Sequence, residues 1–293
     1  MIDGALLVDK PLGVTSNFVL QKVKKLLKAE KAGHAGTLDP LASGLLIVLF
    51  GEATKFAGLL LESEKEYEAM LKLGETTSTG DAEGKVLEQK AVSVAEADVR
   101  EVLKRFLGEI DQVPPMHSAL KRDGVPLYKL ARRGESVERQ PRRVRILELE
   151  LLDFRTPSMD IRVRCSKGTY VRTLAEDIGA ALGCGAHLAA LRRTGSGRFR
   201  VDDAVPVAAL ETMAPPERRA RVIGLEALLV ELPRVDLDAA LAAKLRNGQS
   251  LSLQALSEGV SAVYGPDGAL IGIGRAEAGT LHPLRLTQVA EKG

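Results

Sequence analysis

Six apolar residues in a row, Leu45 to Phe50, follow directly on the stretch Gly33-His34-Ala35-Gly36-Thr37-Leu38-Asp39-Pro40-Leu41-Ala42-Ser43-Gly44. A short apolar run bounded by glycine and proline reads as a buried strand, around which the rest of the fold must supply a core. The stretch before it carries four Gly or Pro, which set sharp turns, with one His and one Asp between them. Together they make a rigid polar loop leaning on a core element, where a carboxylate can be fixed in one geometry. Taken alone, Asp39-Pro40 is an ordinary turn whose Asp bonds its own backbone. What else the chain carries decides between the two readings.

The 293 residues are 45% hydrophobic and 27% charged, the balance of a soluble globular protein with ample core, as one large domain or a large one plus a small one. No apolar run reaches the roughly 18 residues of a membrane helix. Met1-Ile2-Asp3-Gly4 opens no basic region or long apolar core of a signal peptide, so a cytoplasmic protein is expected. Two cysteines, Cys165 and Cys184, make no zinc site by themselves and read as buried thiols. The four histidines (His34, His117, His187, His282) are scattered, which argues against a metal enzyme. Net charge is only +2, yet between Lys121 and Arg145 nine Lys or Arg stand against three acids. A second basic knot is Arg192, Arg193, Arg198 and Arg200. Such clusters on a near-neutral chain point to a polyanion-binding face, against the plainer reading of solvated loops. With 3% aromatics and no Trp, a base-stacking sheet is not expected.

Along the chain, Ala5 to Pro11 reads as a strand ending in a charged turn. Thr15-Ser16 offers an N-cap to an amphipathic helix with Val19, Val23, Leu26 and Leu27 on one face and lysines on others. Tyr67, Ala69, Leu71 and Leu73 alternate with polar residues as a half-buried strand, and Gly74 to Gly84 reads as a polar loop. Ser93 and Glu96 form a capping box for a helix through Val99, Val102, Leu103 and Phe106 that ends at Gly108. After Pro114-Pro115 the basic segment 121–145 projects from the core. Strands follow over Val144 to Phe154 and Met159 to Cys165, then a turn at 166–170 and a helix with Val171, Leu174, Ile178, Ala181 and Leu182 on its inner face. Ala239 to Leu245 reads as a short helix. Short apolar pieces between turns then suggest a mostly-β unit of roughly 55 residues, near the lower limit for an independent fold.

The usual nucleophile, phosphate-loop and dinucleotide patterns are absent. What remains is one well-placed carboxylate. An Asp serves as nucleophile, base or electrostatic stabiliser, and staying ionised in a partly dry site calls for a cation. Arg suits this because its fork pairs with a carboxylate. Arg172 opens a helix after a strand and could reach the same cleft, though pattern alone does not bring it there.

Several motifs in order extend this reading: Asp9-Lys10-Pro11-Leu12-Gly13-Val14-Thr15-Ser16; the Gly33–Gly44 loop; Lys65-Glu66-Tyr67; Pro114-Pro115-Met116 with Ser118-Ala119-Leu120-Lys121; Lys167-Gly168-Thr169-Tyr170-Val171-Arg172-Thr173-Leu174; and Gly185-Ala186-His187-Leu188 with Leu191-Arg192-Arg193. From about residue 5 to about 200 the chain resembles the bacterial TruB family of tRNA pseudouridine synthases. The resemblance implies an α/β (α+β) pseudouridine-synthase fold with a mixed, largely antiparallel central sheet. It places a catalytic domain over 1–235, with an RNA-gripping insert at about 121–145, and a PUA-like RNA-binding β-barrel over 236–293. It implies conversion of uridine 55 in the TΨC loop of tRNA to pseudouridine by base flipping, without metal or cofactor, by a cytoplasmic monomer that needs no protein partner and no membrane.

Carried over by motif, Asp39 is the catalytic aspartate, Tyr67 stacks on the flipped base near C5 as a catalytic proton acceptor or relay, and Arg172 pairs with Asp39. Tyr170 and Leu191 line the uracil pocket, and His34 contacts displaced loop nucleotides. Lys10 has a structural role. Arg132, Arg133, Arg139, Arg142, Arg143, Arg192 and Arg193 are the RNA-binding candidates. An extruded base needs stacking and apolar contacts, and a basic surface offsets the unstacking cost of a few kcal/mol, which agrees with this assignment. His117 departs from the pattern, which has an aromatic after Pro-Pro-Met, and its role is open. Two other readings stand beside this one. One is a guide-dependent ribosomal-RNA enzyme of the same superfamily; the other is a tRNA-folding chaperone that opens the elbow.

Overall fold

The computed structural model describes residues 2–118, 120–122, 124–253 and 256–288, without the side chains of Lys121 and Arg132. The Arg132 assignment therefore lies outside the described residues. Two sheets organise the chain. The larger is built from β1 (Gly4–Lys10), β2 (Ala32–Ala35), β3 (Ala42–Phe50), β4 (Lys65–Leu73), β5 (Gly108–Gln112), β6 (Arg142–Arg155), β7 (Ser158–Cys165), β8 (Ala186–Ser196) and β9 (Val205–Pro206). Their order is β9-β1-β3-β8-β4-β7-β6-β5, with β2 paired to β3 and Phe199–Arg200 paired to β8. Pairing is antiparallel except for β1–β9 and β3–β8, so the sheet is mixed and largely antiparallel.

β3 is the hub. Leu46, Val48 and Phe50 face α1 (Ser16–Leu27), packing with Val19, Val23 and Leu27. Leu45, Ile47 and Leu49 face the other way, onto Phe56, Phe199, Leu229 and the second sheet. Burial on both faces is what the uninterrupted apolar run requires. α1 starts where expected, with the Thr15 hydroxyl accepting from the Phe18 amide at 3.1 Å. A second core lies under β4, β7 and β6, where Leu71, Leu73, Ile161 and Val163 meet α2 (Glu96–Lys104) and α3 (Val171–Ala181). The opposite face of these strands is wet. There Arg162 lies between Glu68 and Glu150, and Arg164 between Glu64 and Glu148.

The second sheet, β10 (Arg234–Asp236), β11 (Leu251–Ser252), β12 (Gly259–Tyr264), β13 (Leu270–Glu277) and β14 (Thr280–Leu286), has the order β10-β12-β13-β14-β11. α4 (Ala239–Arg246) closes one side of it through Ala242 and Leu245.

Four local expectations change. His34 is not in a glycine loop. It stands on β2, opposite Val48, and the loop proper is 36–41. α2 is capped two residues later than Ser93 suggests, with the Ala95 amide donating to the Asp98 carboxylate at 3.0 Å. The polar stretch after Gly74 contributes a strand, Glu75–Thr77, paired with Val86–Gln89. The basic insert is shorter than 121–145, because Arg142 and Arg143 already lie on β6, paired with Gln112 and Asp111 of β5.

Candidate active site

The Asp39 loop is latched from the N-terminal motif. Leu38 is buried, and its amide and carbonyl both bond the Ser16 hydroxyl, at 2.8 and 2.9 Å. The Gly13 amide donates to the Pro40 carbonyl at 2.9 Å. The turn between these latch points is held by Lys10, fully buried, whose ammonium donates to the Pro11 and Val14 carbonyls. Burial pulls the Lys10 pKa down to about 8, with Asp39 opposing the shift and Arg193 adding to it.

With its neighbours fixed, Asp39 stays open: its side chain is 50% exposed, while that of its partner Arg172 is 7% exposed. Arg172 Nη2 lies 3.0 Å from Asp39 Oδ2. The same guanidinium gathers three other groups. Nη2 donates to the His117 carbonyl at 2.6 Å, Nη1 donates to the Thr79 carbonyl at 3.3 Å, and Nη1 lies 3.6 Å from the buried carboxylate of Asp81. Asp81 is itself fixed by the Thr79 hydroxyl at 2.5 Å and the Glu83 amide at 3.1 Å. A buried cation needs this full set of partners, since one left unpaired costs several kcal/mol.

Tyr67 and Leu191 come from adjacent strands. On the β4–β8 ladder Tyr67 stands opposite Arg193 and Ala69 opposite Leu191, so all four point to one face. Burial raises the Tyr67 phenol above its ordinary value, opposed by the positive charge of Arg193, and the phenol is protonated at neutral pH. Tyr170, the residue before α3, is held by its backbone. Its amide donates to Gln112 Oε1 at 3.0 Å, and Gln112 Nε2 donates to its carbonyl at 3.4 Å. Burial raises its phenol as well. His34 is half-buried, and burial plus the charge of Arg193 lowers its pKa, which leaves the imidazole neutral at pH 7.

Arg193 corrects the sequence reading. It was expected on an RNA-binding surface, but it is 1% exposed, and its guanidinium donates to the Leu45 carbonyl at 2.7 Å and the Gly36 carbonyl at 3.1 Å. Strand alternation turns it inward beside Tyr67, where it ties the Asp39 loop to β3. Arg192 points the other way and forms a bidentate pair with Asp9, at 2.8 and 3.1 Å. Arg133, Arg142 and Arg143 are exposed; Arg143 lies near Glu109 and Asp111. Arg139 is partly buried.

Asp81 and Gln112 were missed. Asp81 sits among polar residues with no periodicity, where an acid is ordinarily solvated. Gln112 matters only through a backbone 58 residues away, a relation no local pattern carries.

Residues 24–171 match the family described as TruB family pseudouridylate synthase (N terminal domain). The chain belongs to the TruB family. Residues 172–230 match the tRNA pseudouridylate synthase B C-terminal domain, and 233–287 match Pseudouridine synthase II TruB, C-terminal. Among curated relatives, tRNA pseudouridine synthase B of Burkholderia mallei is 55% identical over 292 residues, 97% of each chain. That of Dechloromonas aromatica is 53% identical over 291 residues, 99% of this chain and 97% of its own. Among solved structures, a Cbf5-Nop10-Gar1 complex is similar with 29% identity and a TM-score of 0.72, covering 93% of this chain and 78% of that one. An H/ACA RNP bound to a substrate RNA containing 2′-deoxyuridine gives 27% identity and a TM-score of 0.72, covering 98% and 84%. The TruB fold expected from the motifs is thus the fold observed.

Proposed function

We propose that this TruB family member isomerises uridine 55 of tRNA to pseudouridine, acting as a cytoplasmic monomer without metal, cofactor or guide. The observation that carries the reading is an accessible carboxylate, Asp39, held against a buried guanidinium, Arg172, beside Tyr67 and Leu191. The names of relatives more than half identical over nearly the whole chain support tRNA as the substrate.

In this reading the target nucleotide is flipped into the site and its base lies on Tyr67, against Leu191 and Tyr170. Asp39 presents the reacting carboxylate to the nucleotide, oriented by Arg172 Nη2 at 3.0 Å. The bond from C1′ of the ribose to N1 of uracil breaks, the base turns, and C5 bonds to C1′. The proton on C5 must then leave and N1 must gain one. Tyr67 is protonated at neutral pH, so it serves as a relay, giving up its phenolic proton as it accepts another. Neutral His34 fits contact with displaced loop bases, and exposed Arg133, Arg142 and Arg143 fit phosphate contact. The five-stranded sheet from residue 234 onward serves as a PUA-like RNA-binding unit.

The test is incubation of the protein alone with an unmodified tRNA transcript, followed by mapping of pseudouridine. Wild type should modify position 55 with no guide. Asp39→Asn should lose on the order of 10³-fold or more in rate while binding tRNA as wild type does. Undiminished turnover in that variant sinks the mechanism. Tight binding without modification by wild type favours the chaperone.

A further inference from the structure

The basic insert and the catalytic arginine meet through two backbone carbonyls. The segment that leaves β5 runs through Pro114, Pro115, Met116 and His117, and the His117 carbonyl accepts from Arg172 at 2.6 Å. Where the chain returns, Arg139 Nη1 donates to the Pro114 carbonyl at 3.0 Å. The returning root of the insert is therefore tied to the departing one, three residues before the carbonyl that touches Arg172. Arg139 is not turned to solvent as Arg143 is. It is partly buried, and its Nε is buried with no hydrogen-bond partner among the described residues. A side chain used only to meet phosphate in water would not hold a donor away from water at that cost.

The far side of the same junction is charged. Glu176 lies one turn after Arg172 on α3, and its carboxylate lies directly over Gly80, between Thr79 and Asp81. Arg172, Asp81, Asp177 and Arg139 are the charges around it. Arg139, with its Nη1 on the Pro114 carbonyl and its Nε buried, thus faces this junction and stands apart from the exposed set at Arg133, Arg142 and Arg143.

We infer that Arg139 is a positioning residue for the TruB reaction: by clamping Pro114 it fixes the His117 carbonyl on Arg172, and so sets Arg172 against Asp39. This rests on the assignment of Asp39 and Arg172 above. It separates Arg139 from the RNA-gripping arginines with which its sequence neighbourhood groups it.

The experiment compares wild type, Arg139→Gln, Arg139→Lys and Asp39→Asn on unmodified tRNA transcript. It measures single-turnover rate at saturating enzyme, Kd, and the dependence of Kd on salt. Arg139→Gln should lower the single-turnover rate about tenfold or more, the scale of a small misplacement of reacting groups, with Kd and salt slope unchanged. Arg139→Lys keeps the charge and one donor, should restore part of the rate, and decides the matter if the Gln variant melts early. Two results would overturn the inference. One is a weaker Kd with the salt slope reduced by about one and the rate intact, the signature of a phosphate contact. The other is a rate unchanged in both variants. Wild type that forms no pseudouridine, or Asp39→Asn that still does, would instead overturn the underlying assignment.

Discussion

Lys10, Lys65 and Arg193 are cations held in the interior by backbone carbonyls. Lys65 reaches back to the Leu60, Leu61 and Ser63 carbonyls, at 3.1, 3.3 and 2.5 Å, and so caps the end of the short helix Ala57–Glu62. Burial and the nearby charge of Arg193 pull its pKa down to about 8, with Cys165 and Glu62 opposing. The unfolded chain keeps that proton up to the ordinary value of 10.5, while the folded chain releases it near 8. Between the two the unfolded state binds more protons, so this residue adds stability as pH rises through the window. Melting wild type and Lys65→Met side by side from pH 7 to 9.5 should show the difference moving in favour of wild type above about pH 8. A constant difference would mean that the ammonium is not desolvated as described. Residue type and motif singled out Asp39, Tyr67 and Arg172 in the sequence. Which basic residues turn inward was not legible, because Arg192 and Arg193 are neighbours of identical chemistry. Only the alternation of β8 sends one to Asp9 and the other beneath the Asp39 loop.

At the scale of elements, the site depends on a close approach of β3 to β8, a parallel pair only three residues long in register. Gly44 makes it possible. Its φ is +99°, and a Cβ there would lie 2.3 Å from the Arg193 carbonyl oxygen and 2.8 Å from its amide nitrogen. Gly44→Ala must therefore push β3, which follows the Asp39 loop, away from Arg193 on β8, with a left-handed backbone strain added. We expect a loss of about 3–5 kcal/mol in urea unfolding. Gly58→Ala, on an exposed helical turn with open space around it, should gain up to about 1 kcal/mol. Equal effects at the two positions would show that the β3–β8 junction tolerates expansion. β3, β4, α1 and α3 were legible because periodicity and caps act over a few residues. The start of α2 was not: Ser93 and Glu96 form a local cap pattern, whereas the helix begins after Ala95, an alanine that no cap preference marks, with Asp98 bonding its amide and Val99 and Val102 buried.

The whole molecule is joined through β3. Ala5, Leu45, Ile47 and Leu49 of the larger sheet share one cluster with Ala262, Tyr264 and Ile273 of the smaller. Polar contacts cross the same boundary: Lys55 donates to the Leu286 carbonyl at 2.9 Å, and the Gln288 amide donates to Glu52 at 2.6 Å. Sequence composition marked the C-terminal unit as small and mostly β. Its dependence on β3 was hidden, because a strand buried on both faces looks the same whatever covers each face. Separating the sheets would uncover large apolar side chains on both sides, at roughly 1.5–3 kcal/mol for each fully buried one. That exceeds what a unit of this size keeps in reserve. The two sheets should therefore unfold together. Calorimetry of the full chain should give one transition whose van't Hoff and calorimetric enthalpies agree. A chain ending at residue 232 should melt well below the intact protein and bind a hydrophobic dye, since Leu45, Ile47 and Leu49 lose part of their cover. Two resolved transitions in the full chain, or a truncated chain that melts at the same temperature, would mean that the shared cluster contributes little and the C-terminal sheet is an appended module. A single transition has a consequence for the site. The strand that fixes Asp39 and Arg193 is then stabilised by the C-terminal sheet, and substitutions at Tyr264 or Ile273 should lower the stability of the Asp39 loop from the far side of β3.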